Sequence, residues 1–423
     1  MDRGSARSSS VFPLIPEHAD AHILGADDVR LGIVGQYGLY IQVPFCQSKC
    51  TYCNFHTGVF PEGLRSPYAS AVCRELDDHA SLYADSGIPW SDAPADRACV
   101  DTVYVGGGTP SLLPPEELAR LMAAARSAFE SRWSEATLEA DPETVTPDRA
   151  AAWLNAGFNR ISMGVQSFED RELSAAGRMH RREDIYAAER RLRAAGFASL
   201  SFDLIAGLPH QTEASWRDTL SRLLDLRPEH VSIYLLEVDE GSRLGREILT
   251  GGSRYSAKAV PSDDAMAGFY ELACASLEAA GYEHYEISNW ALPGLRSRHN
   301  LKYWRREPYL GFGAGAHSFS GGYRWANAHD PNAYIASIEE GALPFEQLEK
   351  VSRAQANEEV LFLGLRQLDG IDLAEMESSR RSELVDRIEA LCEQGLVEVN
   401  GSRLRLAKDK LTVSNEVFVS LMD

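Results

Sequence analysis

Six short apolar runs recur between residues 39 and 238, at 39–45, 102–108, 136–142, 160–167, 200–209 and 230–238. β-Branched and aromatic residues crowd them, and Gly or Pro closes several, which is the pattern of buried strands. Most are followed by apolar residues at helical spacing. Residues 66–83, 114–133, 213–226 and 263–281 read as helices in this way. The second opens on prolines and acids and the last stops at a glycine, as helix ends do. Strands alternating with helices at this spacing imply a parallel sheet with right-handed crossovers. Six units predict an α/β fold built on a partial (β/α)6 TIM-like barrel. A flat, doubly wound sheet fits the same periodicity. Polar residues interrupt the strands: Tyr40 and Gln42 on the first, Glu139 and Asp141 on the third, Gln166 on the fourth, Asp203 on the fifth. Unpaired acids in buried strands are costly. Most of these residues lie toward the C-terminal half of their strands, where α/β barrels assemble their sites. They are read as site residues in preference to core groups that satisfy one another.

After Leu348 the texture changes. Two helical stretches and a short hairpin around Asn400-Gly401 predict a helical, winged-helix-like C-terminal domain. The expected organisation is a poorly ordered extension over 1–36, the barrel over 37–330 and the C-terminal domain over 331–423. Winged helices often bind DNA, but the first helix here is acidic. The whole chain has 62 acidic residues against 42 basic ones, a formal net charge of −20. That argues against broad phosphate-backbone binding, so no nucleic-acid partner is expected. The basic stretch Arg178–Arg182 is the local exception. No apolar run reaches the ~18 residues a transmembrane helix needs. The N-terminus has no secretory signal pattern either, so the expectation is a cytoplasmic protein.

Seven cysteines are present, and three fall within eight positions: Cys46, Cys50 and Cys53. Cys73, Cys99, Cys274 and Cys392 are scattered, and a disulfide framework is not expected without export. Structural zinc wants four ligands, commonly from two knuckles. Here there is one C-x3-C-x2-C group and no second knuckle, although His56 offers a fourth ligand. Three soft thiolates suit an iron–sulfur cluster better, and a cubane held by three cysteines leaves one iron open. Nearby, Gly106, Gly107 and Gly108 have no side chains, so backbone can approach a ligand closely.

C-x3-C-x2-C in a loop after the first strand resembles the signature of radical S-adenosylmethionine (SAM) proteins. In that superfamily the open iron chelates SAM, and one electron from a [4Fe–4S] cluster cleaves the sulfonium. The stretches "LYIQVPFC", "GGGTPS", "RISMGVQSF", "FDLIAGLPHQT" and "HNLKYW" occur in the order found in the oxygen-independent coproporphyrinogen oxidase family. The resemblance covers about residues 37 to 420. It implies the radical SAM barrel and places Cys46, Cys50 and Cys53 on the cluster. It implies that Tyr40 holds the cluster-bound SAM, and that Gly107, Gly108 and Thr109 lie against its methionine part. Glu139 and Arg178 would contact the same part, Arg178 by pairing a carboxylate. Gln166 and Asp203 would hold the ribose hydroxyls, and Ile205 would lie by the adenine.

Two branches of the family share this pattern. The coproporphyrinogen dehydrogenases resemble C-x3-C-x2-C-x-C, and the extra cysteine falls where this chain has Phe55. The heme-chaperone branch has an aromatic there. "YEISNWA" (285–291) and "HNLKYW" (299–304) also match that branch. The resemblance implies heme binding, with His299 as the candidate iron ligand and Tyr303 and Trp304 as walls; His317 is a second candidate. It implies delivery of heme to an acceptor protein, and an electron donor if SAM is cleaved. The alternatives are oxidative decarboxylation of coproporphyrinogen III and radical SAM chemistry on another substrate.

Overall fold

The computed structural model describes residues 36–88 and 98–422. The N-terminal extension expected over 1–36 lies outside the described residues except for its last member. Six parallel strands cross one sheet in chain order: β1 (Tyr37–Val43), β2 (Cys99–Gly107), β3 (Glu130–Ala140), β4 (Arg160–Gln166), β5 (Ser199–Ala206) and β6 (His230–Leu235). Each pairs in parallel with the one before it. A doubly wound sheet needs a reversal of strand order, and there is none among these six. The crossover helices are α1 (Arg65–Asp85), α2 (Pro115–Ala128), α3 (Pro147–Ala156), α4 (Asp170–Ala175), α5 (Arg182–Ala195) and α6 (Glu213–Leu226). Then come α7 (Arg243–Leu249) and α8 (Asp263–Ala279). α1 packs on α2, α2 on α3, α3 on α5 and α6 on α8. The helices thus follow one another around one face of the sheet, as in a barrel.

The barrel stays open. After α8 come β7 (Glu283–Glu286), β8 (Asn289–Ala291), α9 (Arg298–Trp304) and β9 (Tyr309–Phe312). β8 pairs antiparallel with β6, and β9 pairs parallel with β1. β1 and β6 are therefore capped by other strands instead of meeting. β10 (His317–Ser320), β11 (Tyr323–Asn327), α10 (Pro331–Glu339) and β12 (Phe345–Lys350) extend the β9 side.

Strand alternation decides what faces the helices. Leu39, Ile41, Val43, Val103, Val105, Leu138, Ile161, Met163, Phe202 and Leu204 are all fully buried. The residues between them, Tyr40, Tyr104, Thr137, Glu139, Ser162, Ser201 and Asp203, share the other face because side chains alternate along a strand. One sheet thus carries an apolar outer face and a polar inner one. The outer layer is anchored at α1 by a buried carboxylate. Glu75 accepts from Gly313 N–H at 2.8 Å, Asn327 Nδ2 at 2.7 Å and Tyr334 O–H at 2.6 Å. Burial pushes its carboxyl up to about 7 despite these donors.

Two expectations are corrected. The helix read over 114–133 ends at Ala128, and Phe129 is extended. β3 begins at Glu130 because β2 begins at Cys99, and Cys99 pairs with Glu130 and Val100 with Ser131. The barrel unit also runs to Val351 instead of 330. α10 packs on α1, and β12 pairs antiparallel with β11, so residues 331–351 belong to the barrel unit. The C-terminal unit starts at Ser352. It holds α11 (Arg353–Gly364), β13 (Ile371–Asp372), α12 (Ser378–Glu393), β14 (Val397–Asn400), β15 (Arg403–Leu406) and α13 (Ser414–Met422). Its small antiparallel sheet has the order β13-β15-β14, with the expected hairpin at Asn400-Gly401. Helices with a small antiparallel sheet form the expected C-terminal fold.

Candidate cluster and cofactor site

β1 delivers the chain into the cysteine loop at the C-terminal end of the barrel strands. Phe45 bridges to Gly58, and Cys46 N–H donates to Gly58 O at 2.8 Å, which closes the loop on itself. Its far side is pinned to the barrel. Thr51 N–H donates to Ala176 O at 2.9 Å, Thr51 Oγ1 to Ala175 O at 3.2 Å, and Leu244 N–H to Thr51 O at 2.8 Å. Cys46, Cys50 and Cys53 are free thiols, each half-buried. Burial pushes the Cys46 thiol up to about 11, and Cys53, Asp141 and Cys50 press in the same direction. Three soft donors on one loop, within electrostatic reach of one another, have the chemistry of an iron–sulfur site. His56, the fourth ligand in the zinc reading, stacks on His329 with ring centroids 3.9 Å apart. Among the described residues no three His, Cys, Asp or Glu side chains converge on a position for one metal ion.

The glycine run faces this loop at backbone contact. Gly108 N–H donates to Val43 O at 2.8 Å and Thr109 N–H to Phe45 O at 2.7 Å. A Cβ on Gly108 would stand 2.7 Å from Phe45 O and 2.9 Å from Cys46 Sγ. Gly107 has φ +119°, and a Cβ there would meet the Gln42 amide at 2.7 Å. The sequence explains these glycines by close approach to a ligand. The structure adds a nearer cause: the two loops touch, with no room for a side chain between them.

The inner-face carboxylates form a connected set. Glu139 accepts from Tyr104 O–H at 2.8 Å and from Gly107 N–H at 2.9 Å. Burial pushes its carboxyl up to about 7, and those two donors oppose the shift. Tyr40 O–H donates to the Gln42 side chain, and Tyr40 pairs in register with Tyr104. Thr109 Oγ1 donates to Asp141 Oδ2 at 3.0 Å. Arg178 donates to Asp141 Oδ1, to Gly164 O at 2.9 Å and to Cys50 Sγ at 3.6 Å. The carboxylate Arg178 pairs in this structure is therefore that of Asp141. The guanidinium bridges cluster loop, β3 and β4. Its neighbour His180 is also buried, with Nε2 hydrogen-bonded to Val165 O, so two members of the basic stretch point inward.

Gln166 sits on a bulge at the end of β4 with φ +64°, a conformation costing a non-glycine residue about 1–2 kcal/mol. Its Nε2 lies 2.9 Å from where a Cβ on Gly164 would be, beside Arg178 and Asp141. Asp203 accepts from Ser162 Oγ at 3.2 Å; burial pushes it up to about 6, with Ser232 and Arg160 opposing. Ile205 belongs to an apolar cluster with Leu208, Leu236 and Met266, against which Tyr52 of the cysteine loop packs. Tyr40, Gly107, Gly108, Thr109, Glu139, Gln166, Arg178, Asp203 and Ile205 are thus all on the inner face or its C-terminal rim. Sequence reasoning missed Tyr104 and the pairing role of Asp141. Two-residue alternation back from Gly106 on β2 is the signal that points to Tyr104.

The heme candidates of α9 are elsewhere. His299 is fully buried. One ring nitrogen bonds Thr102 Oγ1 and the other Tyr303 O–H, each at 2.9 Å. Burial, then Lys302 and Arg160, press its pKa down to about 3. Its ring stacks against Tyr104 at 5.3 Å, on the N-terminal side of the Tyr40–Tyr104 layer. Tyr303 packs on Tyr309, and Trp304 packs against Tyr285, Ala291 and Leu301. With both nitrogens engaged and no exposed edge, His299 offers no ligand to a heme iron in this structure. The motif ties α9 to the barrel floor. His317, the second candidate, is exposed at the start of β10.

An open, chain-ordered parallel barrel with C-x3-C-x2-C after its first strand and a glycine run against it is the radical SAM class of protein. Residues 40–223 match the radical SAM superfamily, and residues 351–408 match the HemN C-terminal domain. The chain is 34% identical over 385 residues to the heme chaperone HemW of Bacillus subtilis, covering 90% of this chain and 97% of that protein. It is 35% identical over 372 residues to HemW of Mycobacterium tuberculosis, covering 88% and 90%. The chain belongs to the HemW family. The solved coproporphyrinogen III oxidase HemN of Escherichia coli superposes with a TM-score of 0.74 over 92% of this chain and 91% of that one. At 23% identity this likeness concerns the fold.

Proposed function

We propose that this protein is a heme chaperone: it binds heme and passes it to an acceptor protein in the cytoplasm. The observation that carries the reading is relatedness to HemW proteins over 88–90% of the chain, combined with Phe55 at the position where the dehydrogenase pattern has a cysteine. Phe55 is 67% exposed on the cysteine loop, so the loop presents an apolar ring to solvent where a thiol would otherwise stand. Cys46, Cys50 and Cys53 would hold a [4Fe–4S] cluster. Tyr40, Gly107, Gly108, Thr109, Glu139, Gln166, Arg178, Asp203 and Ile205 would hold SAM. When bound, the cluster supplies the electron that radical SAM proteins use to cleave the sulfonium. Arg178, 3.6 Å from Cys50 Sγ, would balance charge there, and Asp203 and Gln166 would supply acceptors for hydroxyl groups.

Anaerobic hemin titration of the cluster-loaded protein tests this reading. Saturable binding at a fixed stoichiometry supports it, as does release of the heme to an apo-hemoprotein. Absence of saturable binding refutes it. Alanine at any of the three loop cysteines should abolish the brown, reducible cluster. Zinc without iron or sulfide in the anaerobically purified protein would refute the cluster assignment.

A further inference from the structure

Three histidines from distant parts of the sequence gather beside the cysteine loop. His56 is on that loop, His317 opens β10, and His329 follows β11. The His56 and His329 rings stack at 3.9 Å with an interplanar angle of 23°. His317 is within electrostatic reach of both; although the residue is exposed, partial desolvation of its ring first, then His329, Arg324 and His56, hold its imidazole below the usual range. A neutral imidazole is the form that ligates metals. Elsewhere in the barrel unit, His79, His180, His230 and His299 all have ring nitrogens in hydrogen bonds. Among the described residues the ring nitrogens of His56 and His317 have no such partner.

The surroundings have a second and a third property. Phe55 and Val59, flanking His56, are the most exposed large apolar side chains among the described residues, at 67% and 63%. On β10 and β11, Phe319 lies opposite Arg324 on the face that also carries His317. The Arg306 and Arg324 guanidinium groups stand 5.0 and 5.6 Å from the Phe319 ring. An unsatisfied imidazole, an exposed apolar ledge and a cationic rim match the three chemical parts of heme: iron, macrocycle and propionates. A single hydrated metal ion uses neither the ledge nor the cations.

We infer that the Phe55–Val59 loop and the β10–β11 face form the heme-docking surface, with His317 supplying the iron ligand. The inference rests on the heme-carrier reading and replaces the buried His299 as ligand. It places heme beside the cluster loop, because Phe55 lies two residues beyond Cys53. The exposed Phe55 ring then packs on the macrocycle.

The test is hemin titration of the full-length, cluster-loaded protein, read at the Soret band. His317→Ala should shift the Soret maximum and raise Kd at least tenfold, and added imidazole should restore the band position. Phe55→Ser should raise Kd several-fold with the maximum unmoved. Cluster absorbance should stay at the wild-type level in both, and His317→Gln should repeat the His317→Ala result. If the wild type binds heme saturably and both His317 variants keep its Soret band and Kd, this inference is overturned and the carrier reading stands. If the wild type shows no saturable binding, both fall.

Discussion

At the residue scale, Arg178 and His299 show how an expected role changes once partners are known. The resemblance has Arg178 pairing a carboxylate, and it pairs Asp141 while also reaching Cys50 Sγ. Arg178→Ala should weaken SAM binding about ten- to a hundredfold, corresponding to ~1.5–3 kcal/mol for a charge-assisted contact. Equilibrium binding to the cluster-loaded variant measures this, and an unchanged Kd would refute the assignment. His299 lies 197 positions from its partner Thr102, so no local pattern reveals that its nitrogens are already bonded. His299→Ala leaves the buried Thr102 hydroxyl and the half-buried Tyr303 hydroxyl without their partner. Unsatisfied buried groups cost ~1–3 kcal/mol each, so the unfolding midpoint should fall clearly. The Soret band of heme bound to this variant should stay where it is. A Soret shift without loss of stability would restore His299 as a ligand.

At the scale of elements, the coupling of the glycine turn to the cysteine loop is the strongest local constraint. Gly108→Ala places a Cβ against Phe45 O and Cys46 Sγ, and backbone does not yield as a flexible side chain does. All three cysteines remain, yet cluster incorporation should fall several-fold by iron and sulfide content. Full incorporation would show that the loops separate at little cost. The strand-end acids make a pH prediction. Burial pushes Glu139 up to about 7 and Asp203 up to about 6 in the folded protein, above the value of about 4 for unfolded carboxyls. Between those values the folded state holds more protons, so these groups stabilise it below pH ~4 and lose that contribution as pH rises to about 7. Glu139→Gln should therefore flatten the decline in melting temperature of the cluster-free protein between pH 5 and 8. Parallel wild-type and variant profiles would contradict the shift. These elements were legible in part. Strands and crossovers follow from periodicity, whereas the early start of β3 does not. Residues 130–135 are set by pairing with β2, which their own spacing does not record.

At the scale of the whole molecule, the chain order of β1–β6 and the one-sided helix layer separate a barrel from a doubly wound sheet, a choice that periodicity leaves open. The C-terminal rim of that barrel was legible because burial makes a strand acid such as Asp203 conspicuous. The unit boundary at Val351 was not, because α10 and β12 attach through long-range packing on α1 and β11. No described helix is long and apolar enough to cross a membrane. In the heme-chaperone reading, Phe55 stands where the dehydrogenase pattern has a cysteine, and that loop sets the proposed activity apart from porphyrin oxidation on the same fold. One substitution does not rebuild a substrate pocket, so Phe55→Cys alone should not create an oxidase. The most direct measurement is product analysis after anaerobic incubation of the intact, cluster-loaded protein with dithionite, SAM and coproporphyrinogen III. A heme carrier of this kind should leave coproporphyrinogen unchanged, with no protoporphyrinogen formed, in a preparation that binds heme. Robust conversion to protoporphyrinogen IX would contradict it.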